Sequence, residues 1–143
     1  MTSIETATYN FRGAATTTGG DAGTAVYYIG ISGDASLIHG VHLRWDSTLA
    51  GSVTVWTSNF SNGDAPLNST TAGAWIQQNP STGYTAISPS GAATAATPLV
   101  LNIPGGTAGG ADLTWGNLGS KRVRLVLTVT TNGTLWVRSH GKS

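Results

Sequence analysis

Apolar and polar residues alternate along most of this chain, with a period of two. The longest alternating stretch spans residues 121–139. Four aliphatic residues share one face of its first half: Val123, Leu125, Leu127 and Val129. Successive side chains of a β-strand point to opposite faces, so the pattern predicts strands in this stretch rather than a helix.

An Asn-Gly pair at positions 132–133 interrupts the stretch, and this dipeptide is typical of hairpin turns. A two-residue loop would leave Leu135 and Val137 on the face opposite to the other aliphatic residues. A three-residue loop over 131–133, with a left-handed glycine, pairs Val129 with Leu135 and gathers all of them on one face. The sequence therefore predicts a hairpin with a type I turn and a G1 bulge.

A second hairpin is predicted between residues 37 and 58, with a turn at 46–51. Shorter alternating stretches predict further strands, at 4–12, 25–31, 74–78, 84–88 and 98–103. The glycine-rich segment 104–120 is expected to be a long connection, because it shows no alternation.

No stretch of ten residues has helical periodicity. Eight or nine short strands predict one all-β domain over residues 1–143, an antiparallel β-sandwich of jelly-roll type. The inward positions of these strands predict the core: Val41, Leu43, Trp45, Val53, Val55, Leu99, Leu101, Val123, Leu125, Leu127, Val129, Leu135 and Val137.

The chain carries few charges for its length. Charged residues make up 9% of it, whereas soluble domains average about 25%. Low charge promotes association, so we expect a homo-oligomer whose surface is largely covered by neighbours. The chain has no cysteine, no apolar run long enough to span a membrane and no leader-like start, so neither a membrane location nor secretion is expected.

Cations are concentrated near the end of the chain. The segment after residue 112 has five Lys and Arg residues and no acid, while the preceding part has a net charge of −4. Together with outward-facing tryptophans, these cations predict a partner-binding surface formed by Trp56, Arg122, Arg124, Trp136, Arg138 and His140. An acidic surface on a neighbouring subunit is the favoured partner; nucleic acid is the rival, and a merely solvated face is the third interpretation.

Catalytic and metal-binding signatures are absent from the sequence. His39 and His42 alternate to opposite faces of one predicted strand, so they cannot chelate one metal together. Each acidic loop contributes a single carboxylate, as ordinary turns do, although a calcium site assembled from several loops is an alternative. We therefore expect no enzyme activity, no metal and no cofactor.

The five tryptophans suggest a second kind of function. Trp45 lies on an apolar face and is expected in the core, whereas Trp56 and Trp136 alternate to outward faces. Trp75 and Trp115 lie near predicted loops. Exposed indole rings form platforms for sugars or for protein neighbours, so a carbohydrate-binding module is an alternative function. The other interpretation is that the domain itself covers both faces.

The second predicted hairpin carries a resemblance. One strand ends in Trp45-Asp46, and the next, beginning at Gly51, ends in Thr-Ser-Asn-Phe at 57–60. This segment resembles small β-sandwich virion proteins of tailed bacteriophages, whose cysteine-free, Ala/Gly/Thr-rich composition is similar as well. The resemblance covers about this one hairpin and transfers no functional residue.

The resemblance implies a non-enzymatic structural protein of the virion, assembled in the host cytoplasm. Such proteins commonly decorate or cement the capsid shell, often as trimers, and this function is the favoured expectation. A component of the tail, baseplate or head fibre is the alternative within the same class.

Overall fold

The computed structural model describes residues 4–11, 25–31, 38–78, 80–84, 100–114 and 122–141. These residues form strands and contain no helix, which confirms an all-β chain. The strands are β1 (Ile4–Phe11), β2 (Ala25–Ile31), β3 (Ile38–Trp45), β4 (Ala50–Ser58), β5 (Ile76–Gln77), β6 (Ser81–Tyr84), β7 (Leu101–Pro104), β8 (Gly109–Thr114), β9 (Arg122–Thr131) and β10 (Gly133–Gly141).

The strands form two antiparallel sheets. Sheet I has the order β1-β10-β3-β8-β6. Sheet II has the order β2-β9-β4-β5, and β7 pairs with the same strand β4. The pairs are nested along the chain, since β1 pairs with β10, β2 with β9, β3 with β8 and β4 with β7. Most contacts are therefore made between segments that are distant in sequence.

Both sheets contribute to one hydrophobic cluster. Val41, Leu43 and Trp45 enter it from sheet I, and Leu125 and Leu127 enter it from sheet II. Every predicted core residue within the described ranges is buried, which confirms the assignment of faces. The remaining predicted core residue, Leu99, lies outside those ranges. For each sheet, the outer face is the one turned away from this cluster.

The predicted terminal hairpin is wrong. Its two strands belong to different sheets, because β9 pairs with β2 and β4 whereas β10 pairs with β1 and β3. Val129 therefore lies opposite Ala25 and Gly51 and is not paired with Leu135. Gly133 does not have the predicted positive φ. The aliphatic residues stay inward in either arrangement, so alternation alone could not distinguish a hairpin from a crossing between sheets.

The predicted β3–β4 hairpin is wrong for the same reason, since residues 46–49 also cross from sheet I to sheet II. The two crossings lie against each other. A Cβ atom on Gly133 would lie 2.4 Å from the backbone nitrogen of Leu49, so only glycine allows this approach. Close packing of the two crossings explains why β3 neighbours β10 while β4 neighbours β9.

Asp46 joins the two crossings. Its Oδ1 accepts hydrogen bonds from the backbone nitrogen (3.1 Å) and hydroxyl (3.0 Å) of Thr48 and from the backbone nitrogen of Leu49 (2.9 Å). Its Oδ2 accepts one from the backbone nitrogen of Thr134 at 3.1 Å. Burial opposes ionisation, but these hydrogen bonds outweigh it and lower the pKa of Asp46 below its ordinary value.

One interior strand was not predicted. β8 lies within the segment expected to be a long connection, yet it pairs with β3 on one side and β6 on the other. Ala111 and Leu113 supply its buried side chains. Two glycines, Gly109 and Gly110, begin the strand, and glycine is rare in strand interiors, so the local pattern concealed it.

Candidate binding surfaces

The six residues predicted to form one binding surface lie on two different sheets. Sheet II carries Trp56 on β4 and Arg122 and Arg124 on β9; sheet I carries Trp136, Arg138 and His140 on β10. The side chain of His140 lies outside the described set. Because β9 and β10 are not paired, the predicted placement of these residues on the face of one hairpin is wrong, and each half has its own surroundings.

On sheet II, Arg124 is covered by the chain itself. Only 4% of this residue is exposed, although it is on the outer face. One terminal guanidinium nitrogen donates hydrogen bonds to the carbonyl oxygens of Leu67 (2.7 Å) and Ser69 (3.0 Å). Both acceptors belong to residues 59–75, which we call the covering loop. Burial lowers the pKa of Arg124 from its ordinary value, and so does the nearby Arg122 charge, although an arginine side chain stays protonated.

Three aromatic rings surround the same guanidinium. Its central carbon lies 4.5 Å from the ring centroid of Trp75, 5.0 Å from that of Tyr28 and 5.4 Å from that of Trp56. Cation–π attraction is stronger away from water, so these rings compensate part of the cost of burying the charge. The Nε atom of Arg124 is buried and has no hydrogen-bond partner within the described ranges.

Arg122 binds the start of the same loop. It donates hydrogen bonds to the carbonyl oxygens of Phe60 (3.2 Å) and Ala65 and to the side-chain oxygen of Asn62 (2.6 Å). Its guanidinium carbon lies 4.7 Å from the ring centroid of Trp75. Both predicted cations of β9 therefore have partners within their own chain, and those partners are mainly backbone carbonyls.

Three further contacts anchor the covering loop. The indole nitrogen of Trp75 donates to the carbonyl oxygen of Pro66 at 3.0 Å. The hydroxyl of Ser58, on β4, donates to the carbonyl oxygen of Ala74 at 2.7 Å. Leu67 packs over Gly30 of β2, where an added Cβ would lie 3.4 Å from its side chain. These contacts hold the loop over residues 60–69 and at 74–75, and a cavity of about 310 Å³ remains between Trp56 and residues 69–73.

Two rows of side chains on the outer face of sheet II, next to the covering loop, are uncharged. Strand register aligns Val26, Thr128, Ser52 and Asn102 in one row across four strands. The adjacent row contains Tyr28, Val126 and Thr54. Val26 is 47% exposed, and Val100, just before β7, is 45% exposed. Neither row contains a charged side chain, so we call these residues, with Val100, the uncharged face.

On sheet I, the outer face carries a second arginine–tryptophan pair. Arg44 of β3 and Trp136 of β10 are directly opposite in the register, and the guanidinium carbon lies 4.2 Å from the ring centroid. Arg138 lies opposite His42 in the next row, and His42 lies opposite Asp112 of β8. Arg44, His42 and Arg138 are all exposed, in contrast to the arginines of sheet II.

A groove of about 630 Å³ adjoins the Arg44–Trp136 pair. Its lining includes His42, Ser47 and Asp46, together with Ala108, Gly109 and Gly110. Gly110 is the β8 residue opposite Arg44, so β8 contributes no side chain beside the guanidinium. The glycines that concealed β8 in the sequence form part of the lining of this groove.

Sequence reasoning placed Arg44 and His42 on the outward face of their strand but did not connect Arg44 with Trp136. That connection depends on the β3–β10 pairing, between residues almost a hundred positions apart in the chain, for which there is no local signal. The prediction that Trp45 is buried is confirmed, whereas Trp115 lies outside the described residues. The side chain of His39 also lies outside them.

The described ranges contain no group of three or more His, Cys, Asp or Glu side chains able to hold a metal ion. They also contain no helix with the length and hydropathy needed to cross a membrane. Comparison of the chain with protein-family models, with curated proteins and with solved structures found no match.

Proposed function

We propose that the two sheets form a jelly-roll sandwich. The nested strand pairs support it, because a long antiparallel ribbon that rolls up into two sheets pairs its first strand with its last, its second with the one before last, and so on. The cluster shared by both sheets is a second support. In this arrangement β5 and β6 are additions at the sheet edges.

On this framework, we propose that the protein is a non-enzymatic structural component of a bacteriophage virion that decorates and stabilises the capsid shell. Jelly rolls occur in viral capsid proteins and in lectins, and a fold alone does not decide between such functions. The observation that carries the proposal is the uncharged face of sheet II. Its seven aligned residues combine valine, tyrosine, threonine, serine and asparagine without any charge.

Protein interfaces are depleted of charged residues at their centres, and the uncharged face has this composition. The β-branched side chains of this face have few rotamers to lose on binding, which lowers the entropic cost of an interface there. A shell protein of the virion is the proposed occupant. Self-association of the protein, as the trimer that the resemblance implies, is proposed as well, and the low charge of the whole chain favours it.

A charge placed on the uncharged face tests this proposal. We expect Val26→Glu to abolish binding to purified capsids in co-sedimentation, because the interface would bury an unpaired carboxylate. The same measurement with Phe60→Glu is the control. Phe60 is 55% exposed, similar to Val26, but it lies on the covering loop. This variant should bind like the unmodified protein.

Equal binding by the unmodified protein and Val26→Glu would refute the role of the uncharged face. Absence of the protein from purified particles would refute a virion function altogether. Its recovery with tails or baseplates, and not with heads, would favour the alternative location within the virion.

A further inference from the structure

The groove on sheet I is lined by one cation, Arg44, and one acidic residue, Asp46. Within the described part of the chain, the guanidinium of Arg44 contacts the Trp136 ring and has no carboxylate or carbonyl partner. Asp46 is the one acidic residue in the lining, and its two oxygens already accept four hydrogen bonds. The two formal charges of the lining, on Arg44 and Asp46, balance each other, but the oxygens of Asp46 are engaged by donors of the chain. The charged group that faces a ligand with N–H donors is therefore the Arg44 guanidinium.

The arrangement of Arg44 suits a carboxylate. A guanidinium presents a planar fork of N–H donors that matches the two oxygens of a carboxylate, and stacking on Trp136 orients that plane. The exposed hydroxyl of Ser47 and the imidazole of His42 lie in the same lining and can hydrogen-bond to hydroxyl groups. Trp136 adds an apolar aromatic surface, which carbohydrate rings use for packing.

A carboxylate can come from an acidic amino-acid side chain or from an acidic sugar, and the size of the groove favours the sugar. Sites for small ligands usually measure about 300–1,000 Å³. The groove, at about 630 Å³, falls within that range and is much larger than one aspartate or glutamate side chain requires. This volume admits a ring that carries several hydroxyl groups.

We propose that this groove binds a carboxylate-bearing sugar residue of an acidic saccharide. Arg44 forks onto the carboxylate, Trp136 packs against the ring, and Ser47 and His42 bond to ring hydroxyls. The uncharged face belongs to the other sheet, so the inference does not depend on the proposed shell binding. A protein attached to a particle by sheet II would present this groove as a second binding surface.

The test compares two arginines on the same outer face. Digalacturonate and N-acetylneuraminate are titrated into the full-length protein while the indole N–H resonance of Trp136 is followed by NMR. We expect both acidic sugars to shift this resonance and neutral digalactose to leave it unchanged. Arg44→Gln should weaken binding roughly ten- to hundredfold, because it removes a charge-assisted bidentate contact.

Arg138→Gln is the matched control. It removes the same charge from the adjacent row but does not line the groove, so saccharide binding should change less than about threefold, as for an exposed, screened charge. Arg44→Lys, which keeps the charge but loses the fork, should weaken binding more than the control does. Both positions lie outside the core, and thermal unfolding verifies that each of the three variants is folded.

Three outcomes would overturn the proposal. One is the absence of any saccharide-induced shift at millimolar concentration. Another is equal weakening by Arg138→Gln, which would indicate general charge attraction and not a site. The third is a shift produced by a tetraglutamate peptide and by neither acidic sugar, which would assign the groove to an acidic protein segment.

Discussion

The outer face of each sheet carries an arginine stacked on tryptophan. The rest of the chain buries the stack on sheet II but leaves the arginine on sheet I exposed. On sheet II, Arg124 is enclosed by three aromatic rings and the covering loop, and two carbonyl oxygens accept its hydrogen bonds. On sheet I, Arg44 has one ring, Trp136, and is open to solvent beside a groove.

An arginine–tryptophan pair therefore stabilises the fold on sheet II, whereas a pair of the same residue types is available for ligand binding on sheet I. A buried guanidinium must replace its water with fixed acceptors, and the covering loop provides them for Arg124. The guanidinium of Arg44 is exposed to solvent, so a ligand can bind to it in place of water. On each side, ionised residues organise the backbone around them: Arg122 and Arg124 hold the covering loop, and Asp46 holds the crossings next to the groove.

The largest expected effect comes from removing the covered arginine. Arg124→Ala should lower the free energy of unfolding by roughly 3 kcal/mol, because two carbonyls lose their donor and three rings lose their cation. Arg44→Ala should lower it by only about 0.5–1 kcal/mol, the value of an exposed cation–π contact. Urea unfolding of both variants measures this difference, and equal losses would contradict the contrast between the two stacks.

A smaller effect is expected at Asp46. Its pKa is lower in the folded than in the unfolded chain, so its stabilisation is complete above the unfolded-state pKa of about 3.9 and is lost as pH falls through the folded-state value. Asp46→Asn should cost roughly 1–2 kcal/mol at pH 7, because the new NH₂ group faces a backbone donor.

Urea unfolding between pH 7 and pH 2 measures this dependence. The difference between the unmodified protein and Asp46→Asn should shrink as the pH falls below about 3.9, because the carboxyl group becomes protonated. The deficit of Arg124→Ala should persist at low pH, since the guanidinium stays charged. A deficit of Asp46→Asn that is independent of pH would contradict the role of the ionised carboxylate.

The smallest effect distinguishes the two indole rings. Trp75→Phe keeps an aromatic ring but removes the hydrogen bond to the carbonyl oxygen of Pro66, at an expected cost of about 1 kcal/mol. Trp136→Phe should cost less than about 0.5 kcal/mol, because Trp136 donates no hydrogen bond within the described ranges and is only partly buried. Similar losses for the two variants would mean that the hydrogen bond to the covering loop contributes little.

The sequence showed the residues of the two arginine–tryptophan stacks only as separate positions. Alternation correctly placed Arg44, Arg124 and Trp136 on outward faces, because the face of a side chain follows from its position along the strand. It did not indicate that the loop containing Trp75 folds back over Arg124. That arrangement depends on contacts between segments some fifty residues apart, which no local pattern encodes.

The alternation of apolar and polar residues also did not indicate which strands pair with each other. Residues on both sides of Asn132 remain inward whether the chain reverses within one sheet or crosses to the other, so the predicted hairpin and the observed crossing satisfy the same alternation. Close approach of Gly133 to Leu49, together with Asp46, favours the crossing, and both contacts involve a second, distant crossing.

By itself, the sequence determined the all-β class and the buried positions, from Val41 to Val137, since the pleat of a strand ties each side chain to one face. Only the tertiary structure decided the sheet of each strand, the place of β8, the cover over Arg124 and the opening beside Arg44. These features arise when distant segments compete for the same hydrogen bonds and the same apolar surface, and the outcome of that competition is a property of the whole chain.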